Sequence, residues 1–128
     1  MNIEYTKTTE KTFDEVLEAV QSAAARRNFR TLHVHDVTRT LAEKGFEIES
    51  YSIVEVCNAG FAYRLLKEWK RAGMMLPCRI AVYADGGKTA VTLMKPTLIS
   101  DLLPGRDFGD VPARVEEVLA EVVDEAAS

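Results

Sequence analysis

The sequence predicts a single α+β domain, residues 1–128, with a mainly antiparallel sheet and two long helices on one face. Three observations carry this. Phe13, Val16, Leu17, Val20 and Ala24 follow the i, i+3, i+4, i+7 stripe of a helix that buries one side, and Val115, Val118, Leu119, Val122, Val123 and Ala126 do the same near the C-terminus. The segments between them alternate at strand period. Asp85-Gly86-Gly87 joins two of these segments with residues that supply positive φ, the signal of a tight antiparallel hairpin. A chain of 128 residues fits one domain with a real core.

Ile3 to Thr8 alternates weakly and reads as a first strand at a sheet edge. Thr12-Phe13-Asp14-Glu15 is a capping box, in which the Thr12 hydroxyl accepts from the Glu15 amide and the Glu15 carboxylate accepts from the Thr12 amide. The helix it opens should end near Asn28. Phe29 to Val37 reads as a second strand, with Leu32 and Val34 sharing one face and Thr31, His33 and His35 the other. Thr38 to Gly45 has helical composition and a glycine stop. Phe46 to Cys57 reads as a long strand with a polar start, where a twist or bulge near Ser50 is expected.

Asn58 can cap the next helix, whose apolar stripe is Phe61, Leu65, Leu66 and Trp69 and whose end is expected at Gly73. Arg79 to Ala84 and Lys88 to Lys95 form the hairpin. Ile80, Val82, Val91 and Leu93 share one face, and Arg79, Ala81, Tyr83, Ala90, Thr92 and Met94 the other. That second face is too apolar for a plain solvent face, which points to a partner subunit or a groove. Thr97 to Leu103 makes a short helical turn, with Leu98, Ile99, Leu102 and Leu103 on one side. The last helix starts near Val111, with Pro112 tolerated in its first turn. The order is β-α-β-β-(α)-β-β-α.

The apolar fraction is 47% and the charged fraction 28%, ordinary for a globular protein. A net charge of −4 argues against nucleic-acid binding through a basic face, and small clusters such as Arg26, Arg27 and Arg30 read as solvated helix ends. The N-terminus lacks the apolar core of a secretory signal, and no run reaches the ~20 residues of a membrane span. A cytoplasmic protein without a membrane or nucleic-acid partner is expected, with its two cysteines as thiols.

Both cysteines fall within Tyr51 to Asp85, at Val56-Cys57-Asn58 and Leu76-Pro77-Cys78-Arg79. With Tyr51 upstream and Val82-Tyr83, Gly86 and Pro96 downstream, these motifs resemble the bacterial and archaeal family called domain of unknown function 302, over roughly Phe13 to Pro96. That family typically shows Cys-Asn-Pro ahead of a helix and Leu-Pro-Cys at the start of the following strand. Ala59 stands where the family usually has proline, a first helical position at which proline helps but is dispensable. The resemblance implies a small α+β domain similar to the TATA-binding-protein-like fold, often dimeric, with no established catalytic activity.

The cysteines admit two readings. A helix of about 14 residues is ~21 Å long, and Ala72 to Pro77 can return about 20 Å. Cys78 then reaches the same sheet end as Cys57 if their strands are antiparallel neighbours, as the family fold favours. A parallel crossover would put them at opposite ends. A thiol just before a helix N-terminus is favoured as thiolate, so Cys57 and Cys78 are candidates for a reactive or metal-binding pair. Two small side chains filling crowded turns are the plainer reading. His33 and His35 share a strand face and, joined by Cys57 or Cys78, would offer zinc or iron N/S ligands; two surface histidines are the alternative. Asn58 opens a helix start that could hold an anion. Tyr51, Tyr83 and Arg79 are candidates to line a pocket on the second sheet face, against the plainer roles of packing or a dimer interface. Pro77 shapes the second cysteine corner.

No motif requires a cofactor, and no nucleophile–base constellation is assembled. The expected function is a non-enzymatic homodimeric module that binds a ligand or partner, with a small-molecule or anionic ligand in view. A thiol-based redox or metal-handling protein using Cys57 and Cys78 is the alternative.

Overall fold

The computed structural model describes residues 2–128. Strand β1 (Glu4–Thr9) leads to helix α1 (Phe13–Arg26), strand β2 (Arg30–Asp36), the short α2 (Val37–Ala42), strand β3 (Tyr51–Cys57) and helix α3 (Ala59–Glu68). A 3-10 turn (Lys70–Met75) then leads to β4 (Cys78–Asp85), β5 (Lys88–Met94), the short α4 (Leu98–Leu102) and α5 (Val111–Ala127). The strands form one sheet in the order β1-β5-β4-β3-β2, and every neighbouring pair is antiparallel. The expected class and architecture hold, with β1 at one edge and β2 at the other.

Helices α1 and α5 pack on each other and on one face of the sheet. Val54, Val56, Ile80, Val82, Val91 and Leu93 supply that face and are fully buried beneath Val16, Val20, Leu119, Val122 and Val123. Burying each such side chain contributes about 1.5–3 kcal/mol before conformational entropy is set against it. Arg27 fastens the two helices at their rim, with Nη1 3.0 Å from Glu125.

Local chemistry explains several boundaries. The capping box closes as expected, with the Glu15 amide 3.2 Å from Thr12 Oγ1 and the Thr12 amide 3.2 Å from Glu15 Oε1. At its other end α1 closes through Asn28, which adopts φ 63°, while the Phe29 amide reaches back to the Ala24 carbonyl and the Asn28 amide to that of Ala25. This is a Schellman motif with asparagine in the left-handed position usually held by glycine. At the hairpin, Gly86 (φ 59°) and Gly87 (φ 86°) are both left-handed, as a two-residue type I′ turn requires.

Four local expectations are corrected. The irregularity lies in β2, between Thr31 and His33, and not near Ser50. It breaks the alternation, so Thr31 pairs with Val56, Val34 with Val54, and Leu32 is left 53% exposed. Strand β3 starts at Tyr51 and not at Phe46, because β2 turns into α2 after Asp36 and leaves the earlier residues without that partner. Thr38 Oγ1 instead holds the Glu49 carbonyl and the Tyr51 amide, and Phe46 is 64% exposed. Helix α3 stops at Glu68 and not at Gly73, because Trp69 turns extended (φ −157°) and packs against the core before the 3-10 turn. In α4, Leu98 and Ile99 are buried but Leu102 is 60% exposed, since a helix of five residues presents only two or three to one side.

Candidate functional site

The antiparallel register of β3 and β4 sets Val56 opposite Cys78, which brings both cysteine corners to the same end of the sheet. Side chains alternate across a strand. Cys78 therefore shares the face of Ile80 and packs against the core, whereas Cys57 shares the face of Glu55 and Ile53. Alternation starts the two side chains on opposite faces, but at this end of the sheet both line one cavity, and both are free thiols.

Asn58 is the fastener of this corner. Its Oδ1 accepts from the Phe61 amide at 3.1 Å and caps α3, while its Nδ2 donates to the Asn28 carbonyl at 3.0 Å. One side chain thus ties the start of α3 to the closing turn of α1. The rings of Phe29 and Phe61, each next to one of these contacts, stack at 6.1 Å.

Below this fastener lies a cavity of about 50 Å³. Phe29, Val56, Phe61, Leu65, Ile99 and Val115 form its apolar wall; Cys57, Asn58, Pro77, Cys78 and Arg79 come from the two corners; and Met94, Lys95 and Pro96 close it from the end of β5. The Leu76–Pro77 peptide is cis. Burial raises the Cys78 thiol to about 11, the nearby Cys57 charge adds to the rise, and the Arg79 guanidinium partly opposes it. Cys78 is thus a protonated, weakly nucleophilic thiol at neutral pH.

Tyr51 and Tyr83 face each other across β3 and β4, with ring centroids 5.1 Å apart and an interplanar angle of 11°. They lie on the second sheet face, five residues along β3 from Val56, or ~17 Å at ~3.3 Å per residue, and do not line the cavity. Tyr83 Oη, Thr92 and Thr6 form a hydroxyl ladder on the same face, with contacts of 3.2 and 3.0 Å. Arg79 belongs to both places: it lines the cavity and pairs with Glu55 at 3.6 Å. His33 sits opposite Glu55 and His35 opposite Ile53 on the edge strand, their rings stacked at 6.2 Å, and His35 contacts Thr40 Oγ1 at 3.2 Å. Cys57 pairs with Arg30, beyond the β2 bulge, and Cys78 faces the core, so the four proposed metal ligands do not converge. Among the described residues, no group of three or more His, Cys, Asp or Glu is placed to hold a metal ion.

Sequence reasoning missed Met94 and Lys95 as cavity residues, because they come from the end of β5, which lies beside β4 and two places from β3 in the sheet. In the sequence Phe61, Leu65 and Val115 are members of helix stripes, and only the packing shows the space they leave between them.

The family model described as "Domain of unknown function DUF302" matches residues 5–126, beyond the Phe13 to Pro96 span that carries the motifs. The chain is also similar to a solved structure, the crystal structure of an uncharacterized conserved protein DUF302 from Bacillus stearothermophilus. The two share 29% sequence identity and a TM-score of 0.90, over 98% of this chain and 99% of that one. No curated protein matches the chain. Among the described residues, no helix is long and apolar enough to cross a membrane.

Proposed function

The chain belongs to the domain of unknown function DUF302 family, and on that premise we propose that it is a non-enzymatic, homodimeric binding module of the cytoplasm. Its ligand is a small molecule taken into the cavity at the two cysteine corners. The observation that carries this reading is the convergence on one cavity of Cys57-Asn58, Pro77-Cys78-Arg79 and Pro96, which are separate in sequence. An apolar space with a few polar groups at its margin has the lining of a small-molecule site, here at a volume that admits only a few heavy atoms. The raised Cys78 thiol, protonated at neutral pH, and the free state of both cysteines count against the thiol-redox reading.

Dimerisation would use the second sheet face, where Tyr51, Ile53, Ala81 and Tyr83 are only half-buried within one chain. Five strands at ~4.8 Å spacing and six residues at ~3.3 Å span about 480 Å² in projection. Side-chain relief brings this toward the ~800 Å² that a standard interface buries per partner.

The test of the binding reading is a fragment screen followed by amide shifts in the 15N spectrum. Binding at the cavity should move Asn58, Phe61 and Lys95, and Ala62→Leu, which fills the half-exposed mouth from α3, should abolish the shifts. Fragments whose shifts map elsewhere and survive that substitution would refute the assignment.

A further inference from the structure

We propose that the ligand of this cavity is a small carboxylate, with a short apolar arm in the cavity and its charge held by Lys95. This inference rests on the binding-module reading and adds the chemical class. Apart from the thiols and Asn58, the polar groups that line the space are two cations, Lys95 and Arg79, and no carboxylate lines it. That is a local reversal in a chain with 20 acidic and 16 basic residues.

The two cations are not equivalent. Arg79 already pairs with Glu55 at 3.6 Å. Lys95 is half-buried and forms no ion pair among the described residues. Its stem can lie along the apolar rim while its ammonium, with no carboxylate partner among the described residues, receives an anion through a charge-assisted bond. Asn58 leaves little for a ligand, since its oxygen is held by the Phe61 amide and its nitrogen is donated to the Asn28 carbonyl.

The same corner argues for a carboxylate over a phosphate. Phosphate sites gather free backbone amides at a helix start or in a glycine-rich loop. Here the Phe61 amide is taken by Asn58, and Ala59 and Gly60, whose amides open the helix, are exposed and do not line the cavity. A single charge on a flexible stem, as Lys95 offers, suits a monoanion. The arm must be short. About 50 Å³ is a third of the ~150 Å³ that encloses a benzene, so it takes two or three carbon atoms.

Butyrate and 1-butanol are the matched probes, titrated into the 15N-labelled chain and read at the amides of Asn58, Phe61 and Lys95. Butyrate should bind about fivefold more tightly than 1-butanol, as expected for one ion pair at the cavity rim. Lys95→Gln should bring the two within about twofold of each other, while Lys95→Arg keeps the preference and controls for a folding defect. If 1-butanol binds as tightly as butyrate, the carboxylate assignment is overturned and the cavity remains a binding site. If neither probe shifts these amides, the assignment and the binding reading fall together.

Discussion

Replacing Asn58 with alanine removes two bonds in one step, and the structure sets the scale of the loss. The Oδ1 contact to the Phe61 amide is an N-cap, and truncating such a residue typically costs ~1 kcal/mol. The Nδ2 contact to the Asn28 carbonyl is an ordinary side chain–backbone bond, with a net contribution of about 0.5–1.5 kcal/mol. Together they predict a loss of about 2 kcal/mol. In urea, with m values of ~1–3 kcal/mol/M, this moves the midpoint by about 1 M. On heating it lowers Tm by roughly 8 °C for a domain of this size. Asn58→Asp divides the total. The carboxylate still caps α3 and gains from the helix dipole, but it has no hydrogen to donate and sets its charge against the Asn28 carbonyl. The aspartate variant should therefore lose about half as much as the alanine variant. An alanine variant within ~0.5 kcal/mol of the parent would refute the fastener role, at the level where surface changes normally fall. An aspartate variant as damaged as the alanine one would refute the division between the two bonds.

Four further outcomes follow from the same structure. Cys78 should alkylate at pH 8 some two orders of magnitude more slowly than an ordinary thiol, because a group at about 11 is only ~0.1% thiolate there; mass-spectrometric labelling of the Cys57→Ala variant reads this directly. The same raised value makes the unfolded state lose its proton first, so the associated stability is intact below pH ~9 and is lost as pH rises toward about 11, by at most ~2–3 kcal/mol. Cys78→Ala should flatten that part of the alkaline profile, and an unchanged slope would contradict the assignment. Leu32→Ser, at the exposed bulge, should stay within ~0.5 kcal/mol of the parent, whereas Leu119→Ala, fully buried, should cost ~2–5 kcal/mol in the same denaturation assay. Sedimentation should give twice the 14.3 kDa chain mass for the parent protein and a monomer for Ile53→Glu; a monomeric parent at high concentration would remove the dimer from the proposal.

What could be read from the sequence was decided locally. Thr12 and Glu15 sit one helical turn apart and cap the same helix end, so their partnership needs no tertiary information. Gly86 and Gly87 adopt the conformations that only a tight turn demands, and with that turn fixed, both faces of β4 and β5 follow by alternation. The β2 bulge had no such signal. Arg30 to Asp36 alternates cleanly on paper, and Leu32 looks like a core residue until Thr31 takes the place opposite Val56. The start of β3 and the end of α3 were likewise settled by neighbours: α2 occupies the side where a strand partner would continue, and Trp69 leaves the helix to reach the core.

The site was half legible. The two cysteine corners stood out as motifs, and the return path along α3 allowed them to meet. That they meet around one cavity depends on the register of β3 with β4, which no local pattern carries. The contribution of Lys95 depends on β5 lying beside β4, with its end at the same edge as Cys78.

The central claim is that the cysteine corners build a binding cavity and do not act as a thiol couple. Its most direct test is a butyrate titration of the Cys57→Ser/Cys78→Ala double variant, followed at the amides of Asn58, Phe61 and Lys95. The account predicts that the same amides shift, with an affinity within about threefold of the parent, less than 1 kcal/mol. A folded double variant that no longer binds, beside a parent that does, would contradict it and return the cysteines to the centre of the function.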